Sequence, residues 1–191
     1  MRKILPFMAG VLLLGACTAI PVKTLYKLAT TDMMVVDPVI LRAGVSMPDW
    51  VAPRPEGVKM ALGMQQKSGE PVTERFILES IPAAFAGKSP ASESKPGYKF
   101  YAYRISSADI QRFKAFRETL KAKKAESGGK TKGSLSIGVD ACRKTELPEG
   151  KIPVTSYLRL DAESGYLPLV VDYDLRKPVA GNNLAELIPP C

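Results

Sequence analysis

The sequence predicts an α+β fold: a mostly antiparallel, curved β-sheet of about six strands packed on one amphipathic helix. Three observations predict it. Apolar residues recur at period two in several short runs, the mark of half-buried strands. One run alone, at about 107–126, carries a helical period. Short turn-forming stretches, not long crossovers, separate most of the strands, which favours antiparallel neighbours. The order reads β-β-β-α-β-β-β after an undecided start, with no clear internal repeat.

Residues 18–36 are weakly patterned and read as a tether whose later part joins the fold. Asp37-Pro38 offers an N-cap followed by proline at the first helical position. Val39, Ile40 and Val45 suit a strand equally well, so helix and strand both stay open up to Pro48. Residues 49–57 contain Pro53 and Pro55 and read as a connection, with Trp50 as an aromatic lid on the core. Val58, Met60, Leu62 and Met64 then alternate with Lys59, Ala61, Gly63 and Gln65, giving a strand. After a turn at 67–71 a second strand spans 72–81, with Val72, Phe76 and Leu78 on one face. The Pro-containing stretch 82–97 is a long loop, and "YKFYAYRI" follows as a third strand.

The helix opens at Ser106, which pairs with Asp109 in a variant of the capping box. Ile110, Phe113, Phe116 and Leu120 share one arc, flanked by Arg117 and Lys124. Basic residues gather at its C-terminus, where the helix dipole favours them. A strand over 134–142 follows, with Leu135, Ile137 and Val139 on one face and Cys142 on the other. "PVTSYLRLD" and "YLPLVVDYDL" form the last hairpin, the second with Leu167, Leu169, Val171, Tyr173 and Leu175 alternating against Asp172 and Asp174.

Composition narrows the chemistry. Apolar residues make up 46% of the chain, enough for a core. Histidine is absent, which excludes a Ser–His–Asp triad and any His-containing zinc site. No Gly-x-Ser-x-Gly, Walker or Cys-x-x-Cys pattern occurs. Asp172 and Asp174 could hold a cation, although exposed strand faces carry such pairs routinely. The strongest surface signal is a possible anion-binding patch of Lys121, Lys123, Lys124, Lys130 and Lys132.

At the N-terminus, Arg2 and Lys3 precede an apolar run from Ile4 to Leu14. That run has signal-peptide length and is too short to span a bilayer, which takes roughly 20 apolar residues. Leu14-Gly15-Ala16-Cys17 resembles the lipobox of bacterial lipoproteins. The resemblance implies a diacylglyceryl group on the Cys17 thiol, cleavage before Cys17 and acylation of the new amino terminus. It also implies three segments: signal peptide 1–16, lipidated N-terminus and tether 17–36, and a single domain 37–191. Thr18, where an aspartate would retain many such proteins in the inner membrane, favours the outer membrane, facing the periplasm.

The resemblance changes two counts. The whole chain carries 27 basic and 19 acidic residues; losing Arg2 and Lys3 leaves 25 against 19, or +6. Lipid on Cys17 leaves Cys142 and Cys191, and an even pair in an oxidising compartment suggests one disulfide. The expected partners are the membrane, through the lipid, and an envelope protein or anionic envelope component. No nucleic acid, cofactor or metal is expected. The expected role is non-catalytic binding or assembly, with a histidine-free envelope hydrolase and an apolar-ligand carrier as alternatives. Charged residues gathered in a cleft would mark the hydrolase, and a deep apolar cavity between helix and sheet the carrier. A free sheet edge would mark the binder.

Overall fold

The computed structural model describes residues 20–65, 71–88, 90, 95–128, 131–177 and 184–191. Its strands are β1 (Arg42–Pro48), β2 (Val51–Gln65), β3 (Val72–Ile81), β4 (Tyr98–Ile105), β5 (Lys132–Arg143), β6 (Pro153–Arg159) and β7 (Leu167–Asp174). Its helices are α1 (Val22–Thr30), the single turn α2 (Ala83–Ala86), α3 (Ile110–Glu126) and the single turn α4 (Leu184–Leu187). The strands form one antiparallel sheet in the order β5-β2-β3-β4-β1-β6-β7. It curls into a half-barrel with α3 against its concave face, so the predicted α+β class holds, with one strand more than expected.

The extra strand is β1, which lies centrally between β4 and β6. Ala43, Val45 and Met47 face the concave core, and Gly44, Ser46 and Pro48 are buried on the other side. A strand covered on both faces loses its period-two pattern, which is why the sequence left this stretch undecided. The later part of the 18–36 stretch joins the fold as expected, and the packing begins earlier, within α1. Thr24 of α1 is buried, and Leu28, Met33, Met34 and Val36 pack on the main core. Buried Arg117 of α3 fastens this segment by donating from Nη1 to the Val36 carbonyl.

β2 is longer than predicted. It starts at Val51 and runs through the two prolines of the expected connection. Its register against β5 shifts between Pro53 and Val58, and Glu56 there has φ 56°. Such a bulge suits proline, because its missing N–H is not needed by the ladder. The alternation expected in β7 also breaks. The β6–β7 register shifts between Val154 and Tyr157, Asp172 has φ 47°, Val171 turns outward and Val170 packs on the core in its place.

α3 follows its predicted arc. The Asp109 N–H donates to Ser106 Oγ at 3.1 Å, closing the cap through a 3-10 turn over Ser107–Asp109. Phe113, Phe116 and Leu120 are buried against the sheet, and the Phe113 and Phe76 rings stand 5.1 Å apart. Trp50 is half-buried, packed between the core and the C-terminal Ile152–Leu184–Ile188 cluster, as a lid would be.

The convex face has its own small core. Phe100 stacks edge-on against Tyr157 and Tyr166, and Ala86 and Ala102 pack beside them. Tyr166 Oη and Arg159 Nη1 both donate to the Ala86 carbonyl, at 3.0 and 3.1 Å, and so fix α2 over the sheet. The cluster exists because residue 44 is glycine: a Cβ there would sit 2.6 Å from the Phe100 ring. Gly44→Val should therefore lower unfolding stability by about 1–3 kcal/mol in urea titration, through overpacking. Strand propensity alone favours valine by up to about 1 kcal/mol, so a gain in stability would disprove the contact.

Candidate functional site: the seam between the edge strands

The curl of the sheet brings its two edges, β5 and β7, toward each other without joining them. Apolar residues line the space between them. In one recess of about 290 Å³, Ile137 and Val139 of β5 face Val170 and Tyr173 of β7, with Val45 and Val154 as the floor. A second recess of about 460 Å³ continues toward α1, where Leu135 of β5 and Leu169 of β7 meet Ile20, Leu28 and Met34. Alternation places Leu135, Ile137 and Val139 on one face of β5, so one strand serves both recesses.

β5 is hydrogen-bonded along its length to β2 only. Among the described residues its other edge is met only at its end. There the Arg143 N–H donates to the Pro189 carbonyl and the Cys191 N–H to the Arg143 carbonyl, both at 2.9 Å. Cys142 and Cys191 lie at disulfide distance, Sγ to Sγ 2.15 Å and Cα to Cα 4.9 Å, as the cysteine count predicts. The tail thus covers one end of the edge and leaves Lys132 to Ala141 open. An open edge of this length offers a row of backbone donors and acceptors to another strand.

Asp172 and Asp174 do not act as a pair. Asp172 is exposed, with Lys95 Nζ 4.0 Å away, and its N–H donates to Thr155 Oγ1. Asp174 is buried, and its Oδ1 accepts from the N–H groups of Ile152 and Arg176, both at 3.1 Å. Burial alone would raise the Asp174 carboxyl. Those two N–H groups, with the charges of Lys151 and Arg176, outweigh it and hold the carboxyl below the usual range. Its role is to fasten the end of β7 to the 148–152 turn.

Among the described residues the other charged groups form ion pairs rather than a cleft; the densest, Arg112 with Glu74 at 2.6 Å and Asp109 at 3.0 Å, ties α3 to β3. The recess at the β2 bulge contains Arg54, Glu56, Lys59 and Asp140. Its close pair, Lys59 Nζ to Asp140 Oδ2 at 2.8 Å, is a solvent-exposed ion pair. Among the described residues, no three Asp, Glu or Cys side chains are grouped to hold a metal ion. Nor is any described helix long and apolar enough to cross a membrane. The space between α3 and the sheet, where a carrier would need its cavity, is filled by Phe76, Phe113, Phe116 and Leu120.

The lysines of the expected patch divide. Lys121 pairs with Glu118 at 2.8 Å, Lys123 is half-buried, and Lys124 and Lys132 are exposed. Lys130 lies outside the described residues, as does Cys17. The seam itself escaped sequence reasoning. Its one available signal was a long alternating strand at the end of the sheet order, and strand order is invisible in sequence.

Two outcomes follow for the end of the seam. Cys142→Ser with Cys191→Ser should cost about 2–4 kcal/mol in denaturant titration, since the pair closes a 49-residue separation. Asp174, with its carboxyl depressed in the folded state, stabilises the fold fully above its unfolded value of about 3.9, and that stability is lost as pH falls toward the folded value. Asp174→Ala should cost about 1–3 kcal/mol at neutral pH and flatten the stability loss below about pH 4, both read by thermal melts. Comparison with known proteins finds no matching family model, no matching curated protein and no matching solved structure.

Proposed function

We propose that the chain is a lipid-anchored envelope protein that binds a partner on the periplasmic side of the membrane and performs no catalysis. The anchor rests on Arg2, Lys3, the short apolar run and Leu14-Gly15-Ala16-Cys17. The binding role rests on one observation, the open edge of β5 beside an apolar seam. An extended segment of an envelope protein pairs with β5 through main-chain hydrogen bonds. Its alternate side chains drop between Ile137, Val139, Val170 and Tyr173, the usual logic of strand addition.

A second reading has its own support. The seam is lined almost wholly by apolar side chains, and pockets of about 300–1,000 Å³ accept small molecules. An apolar ligand in the seam would make the chain a carrier.

One experiment separates the two. A photo-crosslinking residue is placed at exposed Ser136 on β5, and at exposed Ile77 on β3 as a control, in the full chain within native envelopes. Strand addition predicts a discrete protein adduct from position 136, none from position 77, and loss of the adduct in Val139→Pro, which removes an N–H that points to the open edge. A lipid adduct at 136 with no protein adduct selects the carrier. No adduct from 136 refutes both. Labelled palmitate should enter the wild-type chain and not Cys17→Ala; persistent labelling of the variant would refute the anchor.

A further inference from the structure

α1 presents three distinct faces. Thr24 and Leu28 turn into the fold. Lys27 reaches Asp161 at 3.8 Å, and exposed Lys23 lies on the same flank. The third face carries Val22, Leu25, Tyr26 and Ala29, spaced i, i+3, i+4 and i+7, and it meets solvent. Val22 is 82% exposed, Leu25 55% and Tyr26 71%. Of the ten exposed large apolar side chains among the described residues, six fall between Ile20 and Val39: Ile20, Val22, Leu25, Tyr26, Val35 and Val39. Scattered exposed apolar residues are ordinary on a surface, but a continuous stripe on one short helix is not.

Basic groups stand at the same end of the molecule. Lys124, from the last turn of α3, shares a recess with Ala29 and Thr30 at the end of α1 and with Asp32 just after it. Gly133 and Ser134, just beyond exposed Lys132, share the other recess with Ile20 and Leu28. Exposed Lys124 therefore borders the stripe at Ala29, and Lys23 flanks it on α1 itself. An apolar face edged by lysines fits the boundary between acyl chains and anionic headgroups. Position agrees with chemistry. Ile20 follows Cys17 by three residues, and three residues span at most about 11 Å.

We propose that α1 lies flat in the membrane surface, with Val22, Leu25, Tyr26 and Ala29 in the acyl–headgroup boundary and Lys23 and Lys124 against anionic headgroups. This rests on the lipid anchor for its location, and it adds an orientation that an anchor alone does not impose. With α1 down, the recess bounded by Ile20 and Leu28 opens beside the bilayer, and the Cys142–Cys191 end points away from it.

The test uses the full chain, extracted from its membrane and reconstituted in phosphatidylglycerol–phosphatidylcholine vesicles whose acyl chains are brominated near the headgroup. Bromine quenches nearby tryptophan. Wild-type Trp50, packed at the disulfide end, serves as the internal reference and should keep its emission. Tyr26→Trp should add a blue-shifted component that is lost in brominated vesicles, and Ile77→Trp should add one that persists. Leu25→Trp provides a second site on the stripe should Tyr26→Trp misfold. Mass analysis of the Cys17 peptide reads the anchor separately. Lipid on Cys17 with both stripe positions unquenched overturns the orientation and leaves the anchor standing. No lipid on Cys17 with quenching retained removes the anchor and supports the surface contact. Loss of both overturns both.

Discussion

An α-helix is about 10 Å across and neighbouring strands stand about 4.8 Å apart, so α3 cannot cover a flat sheet of seven strands. The sheet meets that shortage by curling. Phe113, Phe116 and Leu120 then share one core with residues of β2, β3, β4, β6 and β7, and concave faces beyond the helix turn toward one another. Strand β1 sits in the middle of the curl and is buried from both directions. The small residue at Gly44 lets Phe100 lie flat across its outer side, and Tyr157 and Tyr166 complete that cover. Where helix and curl both run out, the seam between β5 and β7 remains. The same shortage of cover that shapes the fold creates the candidate binding site.

The parts of this fold that were legible in sequence are those with one dry face and one wet face. β3 and α3 keep their patterns because each has a single side packed on the core, and their bounds fall close to expectation; β4 is the exception, found by its aromatic run although Tyr103 and Ile105 pack on one face and Phe100 and Ala102 on the other. The pattern failed where both faces are covered, as in β1. It failed again where a bulge inserts a residue, at Pro53–Val58 in β2 and around Val171 in β7. A bulge flips every later side chain to the other face, so an alternation counted through it assigns Val171 wrongly inward. The disulfide pair could be reached by counting because pairing of two cysteines needs no geometry. The seam could not, because it depends on which strands become edges.

Helix α1 shows a different kind of miss. Its residues are neither apolar enough to signal a core helix nor polar enough to signal a surface one. Thr24 and Leu28 satisfy the fold, while Val22, Leu25 and Tyr26 face outward. The helical period is present, with Val22, Leu25, Tyr26 and Ala29 on one face, but it spans only nine residues and marks a face that the fold itself leaves uncovered. A helix of this kind is stable only when each face has an environment suited to it, and the fold supplies one of the two.

The tail bridge at Arg143 has a mechanical consequence. β5 is fastened at one end by Cys142–Cys191 and by two main-chain hydrogen bonds, and along one side by β2. Its inner side is held from Lys132 to Arg143, and among the described residues its outer side is held only at the Cys142–Arg143 end. Reduction of the bridge would therefore loosen that fastening on the outer side of β5 and leave the residues that line the seam unchanged.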